Sequence, residues 1–188
     1  MSRIPLVEVA DLTPAQAEAH KGPSGKLNLF RLLAHAKTLQ PGIGQAVQAM
    51  MTDVTIEPMD RELCILAVLH LDRGRYEWAQ HLQVADAMGL PKAKVEAIAD
   101  DRFGDPVFEP REKALLTFTR QVVKTVRVDD FVFQAMASFY GPRQIVELVH
   151  IIGIYMMFVR VSEVAELEID NVLGGAVWKA AADKASAS

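Results

Sequence analysis

Apolar residues recur along most of this chain at intervals of three and four, the spacing of one face of a helix at about 100° per residue. Thr13 and Pro14 supply an N-cap and a first-turn proline, and predict a short helix ending before Gly22. Leu29, Leu32, Leu33 and Ala36 predict a helix over 28–39, which Pro41 and Gly42 should break before another over 43–51. Val54, Thr55 and Ile56 are β-branched but too few and isolated to argue for a sheet. Helices are expected next over 58–71, 75–88 and 92–99, punctuated by Gly74, Gly89 and Pro91. A loop over 100–109 precedes a helix from Pro110 to about 126, and Asp129 caps the next, to 139. Gly141 and Pro142 then introduce a strongly apolar helix over 143–160, with a further turn or two over 161–169 and a break at 171–175. The expectation is an all-α chain, one domain over 1–188, with an irregular arm at 1–12 and a frayed Ala/Lys/Ser-rich tail at 176–188.

The predicted helix over 75–88 breaks its own pattern. Its core-facing stripe reads Glu77, Trp78, His81, Val84, Ala85 and Met88, while Gln80, Gln83 and Asp86 fall on a side that looks solvated. A carboxylate and an imidazole one turn apart on an apolar stripe must find polar partners, or desolvation costs several kcal/mol. Buried titratable pairs of this kind are where proteins tune proton-transfer groups. Glu62 is the third member. It shares a stripe with Ile65, Leu66 and Leu69, and the turn at 72–75 folds its helix against the next, within reach of His81 given a modest stagger. Two carboxylates beside one imidazole form a coupled group in which one acid stays protonated while the histidine shuttles a proton. The bland alternative is a dipole-stabilised glutamate and a structural ion pair.

Metal ligation is the rival chemistry, but carboxylate bundles carry Glu-x-x-His twice, and this chain has Glu-x-x-x-His once. The site is read as metal-free. Cys64, the single cysteine, lies in the apolar run 63–69 and reads as a small buried hydrophobe; it excludes any Cys-x-x-Cys chemistry. Tyr76 and Trp78 are candidate substrate-binding residues beside the pair, although core anchoring is the commoner use of such side chains. His150 and Tyr155 lie on the apolar helix over 143–160 but not on one face, and their burial would fit a subunit contact.

Composition narrows the class. With 188 residues, 51% hydrophobic and 23% charged, the chain is globular rather than disordered. A net charge of -4 gives no electrostatic case for nucleic acid or an anionic membrane. No apolar run reaches the roughly 18 to 20 residues that span a bilayer. The densest, 145–161, is interrupted by Glu147, His150 and Arg160. The start of the chain has no signal-peptide core, so the cytoplasm is the expected compartment. Phosphate loops, serine-hydrolase elbows and HExxH are absent.

At these residues the chain resembles the carboxymuconolactone decarboxylase family, which includes the alkyl hydroperoxidase D-like proteins. The resemblance runs from Asn28 through the stretch ending at His35 to about Leu167. It is carried most strongly by Arg61-Glu62-Leu63-Cys64-Ile65-Leu66-Ala67-Val68 and by Tyr76-Glu77-Trp78-Ala79-Gln80-His81, with Ala85, Gly89 and Leu90 after them. Glu147-Leu148-Val149, Tyr155-Met156-Met157 and Arg160 extend it. It implies an all-α, alkyl hydroperoxidase D-like helical bundle, assembled as a homo-oligomer (trimer or hexamer) with sites near subunit interfaces. The peroxidase branch sets a glutamate beside a Cys-x-x-Cys and a histidine. Those positions fall on Glu62, Gly74, Glu77 and His81, so both thiols are missing and dithiol peroxidase activity is ruled out. The decarboxylase branch also lacks the thiols. It implies a lyase acting without a cofactor on a small carboxylated or lactone-like product of aromatic breakdown. His81, Glu77 and Glu62 would then carry the proton and Tyr76 would steady the developing oxyanion. An isomerase or lactone hydrolase using the same residues, or a non-catalytic oligomeric small-molecule-binding protein, are the alternatives.

Overall fold

The computed structural model describes residues 2–22, 24–170 and 174–186. Ten α-helices account for most of them: α1 Pro14–His20, α2 Asn28–Leu33, α3 Gln40–Thr52, α4 Pro58–Asp72, α5 Arg75–Met88, α6 Lys92–Ala99, α7 Pro110–Thr125, α8 Asp130–Ala137, α9 Pro142–Val164 and α10 Gly174–Ser186. Two short 3-10 turns lie at Val9–Asp11 and Ser24–Lys26, and no strand occurs among the described residues.

The centre of the bundle is α4, packed by α5, α7 and α9. Its apolar run is buried on every side, and the burial extends back through Asp60, Arg61 and Glu62. All-round burial explains why this segment reads as a continuous apolar run rather than a stripe. At its end Arg73 adopts φ 60°, so that Gly74 N–H reaches Leu69 O at 2.9 Å, and Lys124 Nζ donates to the Leu71 carbonyl. This left-handed stop reverses the chain into α5 with no intervening loop. A Cβ on Gly74 would lie 2.4 Å from Val159 Cγ2, so α5 starts in direct contact with α9 only because position 74 has no side chain. Gly89, at φ 75°, closes α5 in the same way, with Leu90 tucked beneath it.

Helix α9 is long and apolar enough, by length and composition, to cross a membrane, since Glu147, His150 and Arg160 do not shorten it as the sequence pattern suggested. Here its Ile145, Leu148, Ile151, Ile152, Tyr155 and Val159 are buried in the core against α4, α5 and α7.

Four sequence expectations change. The helix expected over 28–39 stops at Leu33, and Pro41 with Gly42 opens α3 instead of breaking the chain. Proline is tolerated in a first turn because its missing N–H would have no partner there. The 54–56 segment is indeed not a strand: Glu147 Oε2 accepts from Thr55 N and Oγ1, both at 2.8 Å, tying it to α9. The tail expected to fray forms α10, which packs on α5. Gly174 makes that docking close, since an added Cβ would lie 2.0 Å from Gln80 O. Gln80, expected in solvent, is consequently buried, and its Oε1 accepts from Gly174 N at 2.9 Å. Of the expected break at 171–175, residues 171–173 lie outside the described residues.

Candidate active site

Glu62 and His81 meet across the α4–α5 hairpin as the stripe arithmetic predicts. His81 Nδ1 lies 2.8 Å from Glu62 Oε1, with side-chain exposures of 14% and 4%. With the carboxylate accepting, Nδ1 carries a proton, an assignment that comes from the partner rather than from a seen hydrogen. Nε2 makes no hydrogen bond to any described residue and is not sealed from solvent. The edge of the pair is closed by Tyr155 of α9, whose ring stands 5.0 Å from the His81 ring at 82°, itself backed by Phe158 at 5.8 Å. Edge-to-face geometry holds the imidazole plane without taking up its nitrogens.

Glu77 is one turn from His81 and only 3% exposed. Ser162 Oγ lies 2.9 Å from Glu77 Oε2 and 3.1 Å from Val159 O, while Glu77 Oε1 is sealed with no partner. One hydroxyl hydrogen cannot serve both neighbours fully. The Ser162 hydroxyl is shared between these two acceptors, so neither Glu77 oxygen receives a full hydrogen bond. Burial raises the Glu77 pKa above the usual carboxylate range, opposed in part by its own backbone amide, by Ser162 and by His81, and assisted by Glu163. The cluster thus holds two unlike acids: Glu62 pairs with an imidazole, and Glu77 is buried against a hydroxyl.

Tyr76 and Trp78 do not join them. Tyr76 stands about 140° around α5 from His81. Its hydroxyl donates to Asp170 Oδ2 at 3.0 Å and approaches Leu29 N at 3.4 Å, in a small core of Leu32, Ala165 and Leu167. That phenol is a structural anchor, its pKa raised chiefly by burial. The Trp78 ring lies 6.4 Å from His70, about 12 Å along α4 from Glu62. Tyr155, Ser162 and Arg61 are the neighbours that sequence reasoning missed. Arg61 is 4% exposed and reaches Met50 O and Met51 O at 2.9 and 3.2 Å. A signal for it existed: a helix whose apolar run has no polar side must bury its first turn too.

Among the described residues no three His, Cys, Asp or Glu side chains converge as a metal-binding group. Cys64 is buried, its thiol pushed up to about 12 by desolvation. Two open hollows lie elsewhere. One of about 400 Å³ is lined by Arg75, Glu163 and Glu166, and an apolar one of about 300 Å³ by Phe131 and Phe139.

No known family profile matches the chain, and no curated protein matches it by sequence. Solved structures do. The alkylhydroperoxidase AhpD core of an uncharacterized peroxidase-related protein from Ralstonia eutropha superposes with a TM-score of 0.81 at 18% identity, over 92% of this chain and 94% of that one. The fold is that of AhpD. The debrominase Bmp8, in complex with 2,3,4-tribromopyrrole, has the same AhpD-like fold, with a TM-score of 0.73 at 17% identity over 98% of this chain and all of its own length (100%). ATU0492 from Agrobacterium tumefaciens matches at 0.68 and 16% identity, over 74% of this chain and 95% of its own. On this AhpD-like frame the expected all-α architecture is the one found, and the Glu62–His81 pair is built by its central hairpin.

Proposed function

We propose that this protein is a cofactor-independent enzyme that moves a proton on a small carboxylated or lactone-like compound, with decarboxylation as the leading reaction. The observation that carries the reading is the 2.8 Å Glu62–His81 contact, which leaves His81 Nε2 free beside a buried second acid. In this reading Glu62 fixes the tautomer and ring orientation, and Nε2 gives a proton to, or takes one from, the reacting carbon or oxygen. Glu77, neutral, stores a second proton without adding charge to a site that already holds a carboxylate. For loss of carbon dioxide, His81 enters the step protonated at Nε2, gives that proton to the carbanion or dienolate left behind, and regains one from water.

The AhpD-like neighbours support a small-molecule enzyme on this fold. One of them is a debrominase bound to a halogenated pyrrole, a small planar ring. Thiol chemistry has no place here, because the one cysteine is buried and bonded toward Thr119. The homo-oligomer implied by the family resemblance belongs to the same reading. Phe131 and Val126, 84% and 83% exposed, are apolar surface that another copy would cover.

The test is turnover in deuterium oxide on a panel of carboxylated lactones and ring-cleavage acids. The expected result is carbon dioxide release with deuterium on the former carboxyl-bearing carbon. His81→Ala and Glu77→Gln should each lower turnover by at least about a hundredfold in folded protein. Unchanged kinetics in both variants would dispose of the assignment, and deuterium uptake without carbon dioxide would point to an isomerase.

A further inference from the structure

Beside the Glu62–His81 pair sits a buried cation. Arg61 is 4% exposed, and no carboxylate among the described residues forms an ion pair with it. Both of its hydrogen bonds leave from Nη1, to Met50 O and Met51 O, where the guanidinium caps the C-terminal end of α3. The Trp178 ring of α10 lies 5.7 Å from its Cζ. Carbonyl dipoles and an aromatic face ease the burial of a guanidinium, but neither supplies the full negative charge that offsets it. Nε and Nη2 donate to no described group. Neither is sealed, since among the described residues the sealed, unpartnered side-chain atoms are Asp60 Oδ1 and Glu77 Oε1.

The same holds for three neighbours. Glu62 Oε2, His81 Nε2 and the Tyr155 hydroxyl make no hydrogen bond to described residues, yet each keeps accessible surface. Arg61, Glu62 and Tyr155 are within electrostatic reach of one another, and Tyr155 stands on His81. Arg61 therefore holds two unengaged nitrogens, and Glu62, Tyr155 and His81 one unengaged polar atom each, in one chain of neighbours that includes a buried positive charge. The unused Nε/Nη2 edge of a guanidinium matches the two oxygens of a carboxylate.

We propose that Arg61 is the anion anchor of the His81 site, binding the carboxylate of a small organic acid through Nε and Nη2. The binding claim stands apart from the proton-transfer reading; only its consequence for the substrate class rests on that reading. A carboxylate paired with guanidinium is stabilised before reaction, whereas decarboxylation disperses the charge of the departing group. The anchored carboxylate is thus one that the product keeps, and the substrate class narrows to acids carrying a carboxylate besides the group transformed.

The test uses the full chain with Trp78→Phe, which leaves Trp178 as its single tryptophan. Acetate, crotonate and benzoate are titrated at constant ionic strength, with acetamide, crotonamide and benzamide as neutral controls. At least one carboxylate should change Trp178 emission saturably and raise the melting midpoint, while its amide does neither. Arg61→Gln should weaken that binding tenfold or more, Arg61→Lys should restore part of it, and His81→Ala should keep it within about threefold. A saturable response to none of the acids, equal response to acid and amide, or undiminished binding in folded Arg61→Gln overturns the proposal. Should Arg61→Gln fail to fold, having lost its cap on α3, the acid-against-amide comparison in the Arg61 protein decides. Carboxylate binding through Arg61 with turnover intact in His81→Ala would leave the anchor standing and remove the acid–base reading; the reverse pattern would do the opposite.

Discussion

Asp60 and Glu62 are buried carboxylates on the same turn of α4, with exposures of 1% and 3%, yet they belong to opposite kinds of environment. Asp60 faces α7 and the start of α9. Tyr140 Oη donates to its Oδ2 at 2.8 Å, and Arg111 Nη2 stands 3.2 Å from Oδ1, close enough for charge attraction but not aligned as a hydrogen bond. Glu62 faces α5, where its partner His81 keeps a free nitrogen and the adjacent Arg61 keeps a free edge. One side is a sealed group, a phenol and a cation directed at one acid whose Oδ1 is left short of a hydrogen bond. The other has donors and acceptors with nothing yet between them. Burial alone does not mark a functional acid; unspent hydrogen-bonding capacity among its neighbours does.

The largest test of this contrast is catalytic. His81→Ala should lower kcat/KM by at least about a hundredfold, or roughly 2.7 kcal/mol of transition-state stabilisation, with a near-normal melting curve. A comparable loss on the Asp60 side would erase the distinction. Next comes Gly74→Ala, whose Cβ would lie 2.4 Å from Val159 Cγ2 and 3.3 Å from Glu77 Oε2. It should cost about 1–3 kcal/mol in urea denaturation and impair turnover, with partial rescue by Val159→Ala. For the same reason Gly74→Cys with Glu77→Cys should not install a working dithiol. Tyr140→Phe should cost about 1 kcal/mol of stability and leave kcat unchanged, since it removes one donor from a sealed group.

The smallest effect is a pH dependence. Burial raises the Glu77 pKa, so across the interval between its unfolded and folded values the native state binds the extra proton. Its contribution to stability is therefore present below the ordinary glutamate range and lost as pH rises through the raised value. Glu77→Gln has no such proton to lose. Melting midpoints of variant and wild type should separate in the variant's favour between pH 4 and pH 8, in a protein that has lost turnover. A gap that narrows over that range would mean that Glu77 is ionised in the fold.

The hairpin of α4 and α5 was legible in outline because periodicity, Gly74 and Gly89 all mark it, and because a carboxylate and an imidazole on an apolar stripe stand out. The same method misplaced Tyr76 and Trp78. Stripe membership gives direction around a helix but not which of several packed neighbours lies there. Gln80 misled for a related reason, since α10 arrives from 94 residues away to cover it.

The sequence by itself determined the helical class, the missing thiols and the Glu62–His81 register, because helical pitch and a short reversal leave few ways to pair two adjacent helices. Tertiary structure alone decided that α9 brings Tyr155 and Ser162 to that pair, that α10 lays Trp178 over Arg61, and that Glu77 loses its water. Those outcomes depend on contacts between segments far apart in the chain, and on desolvation, which no local spacing encodes.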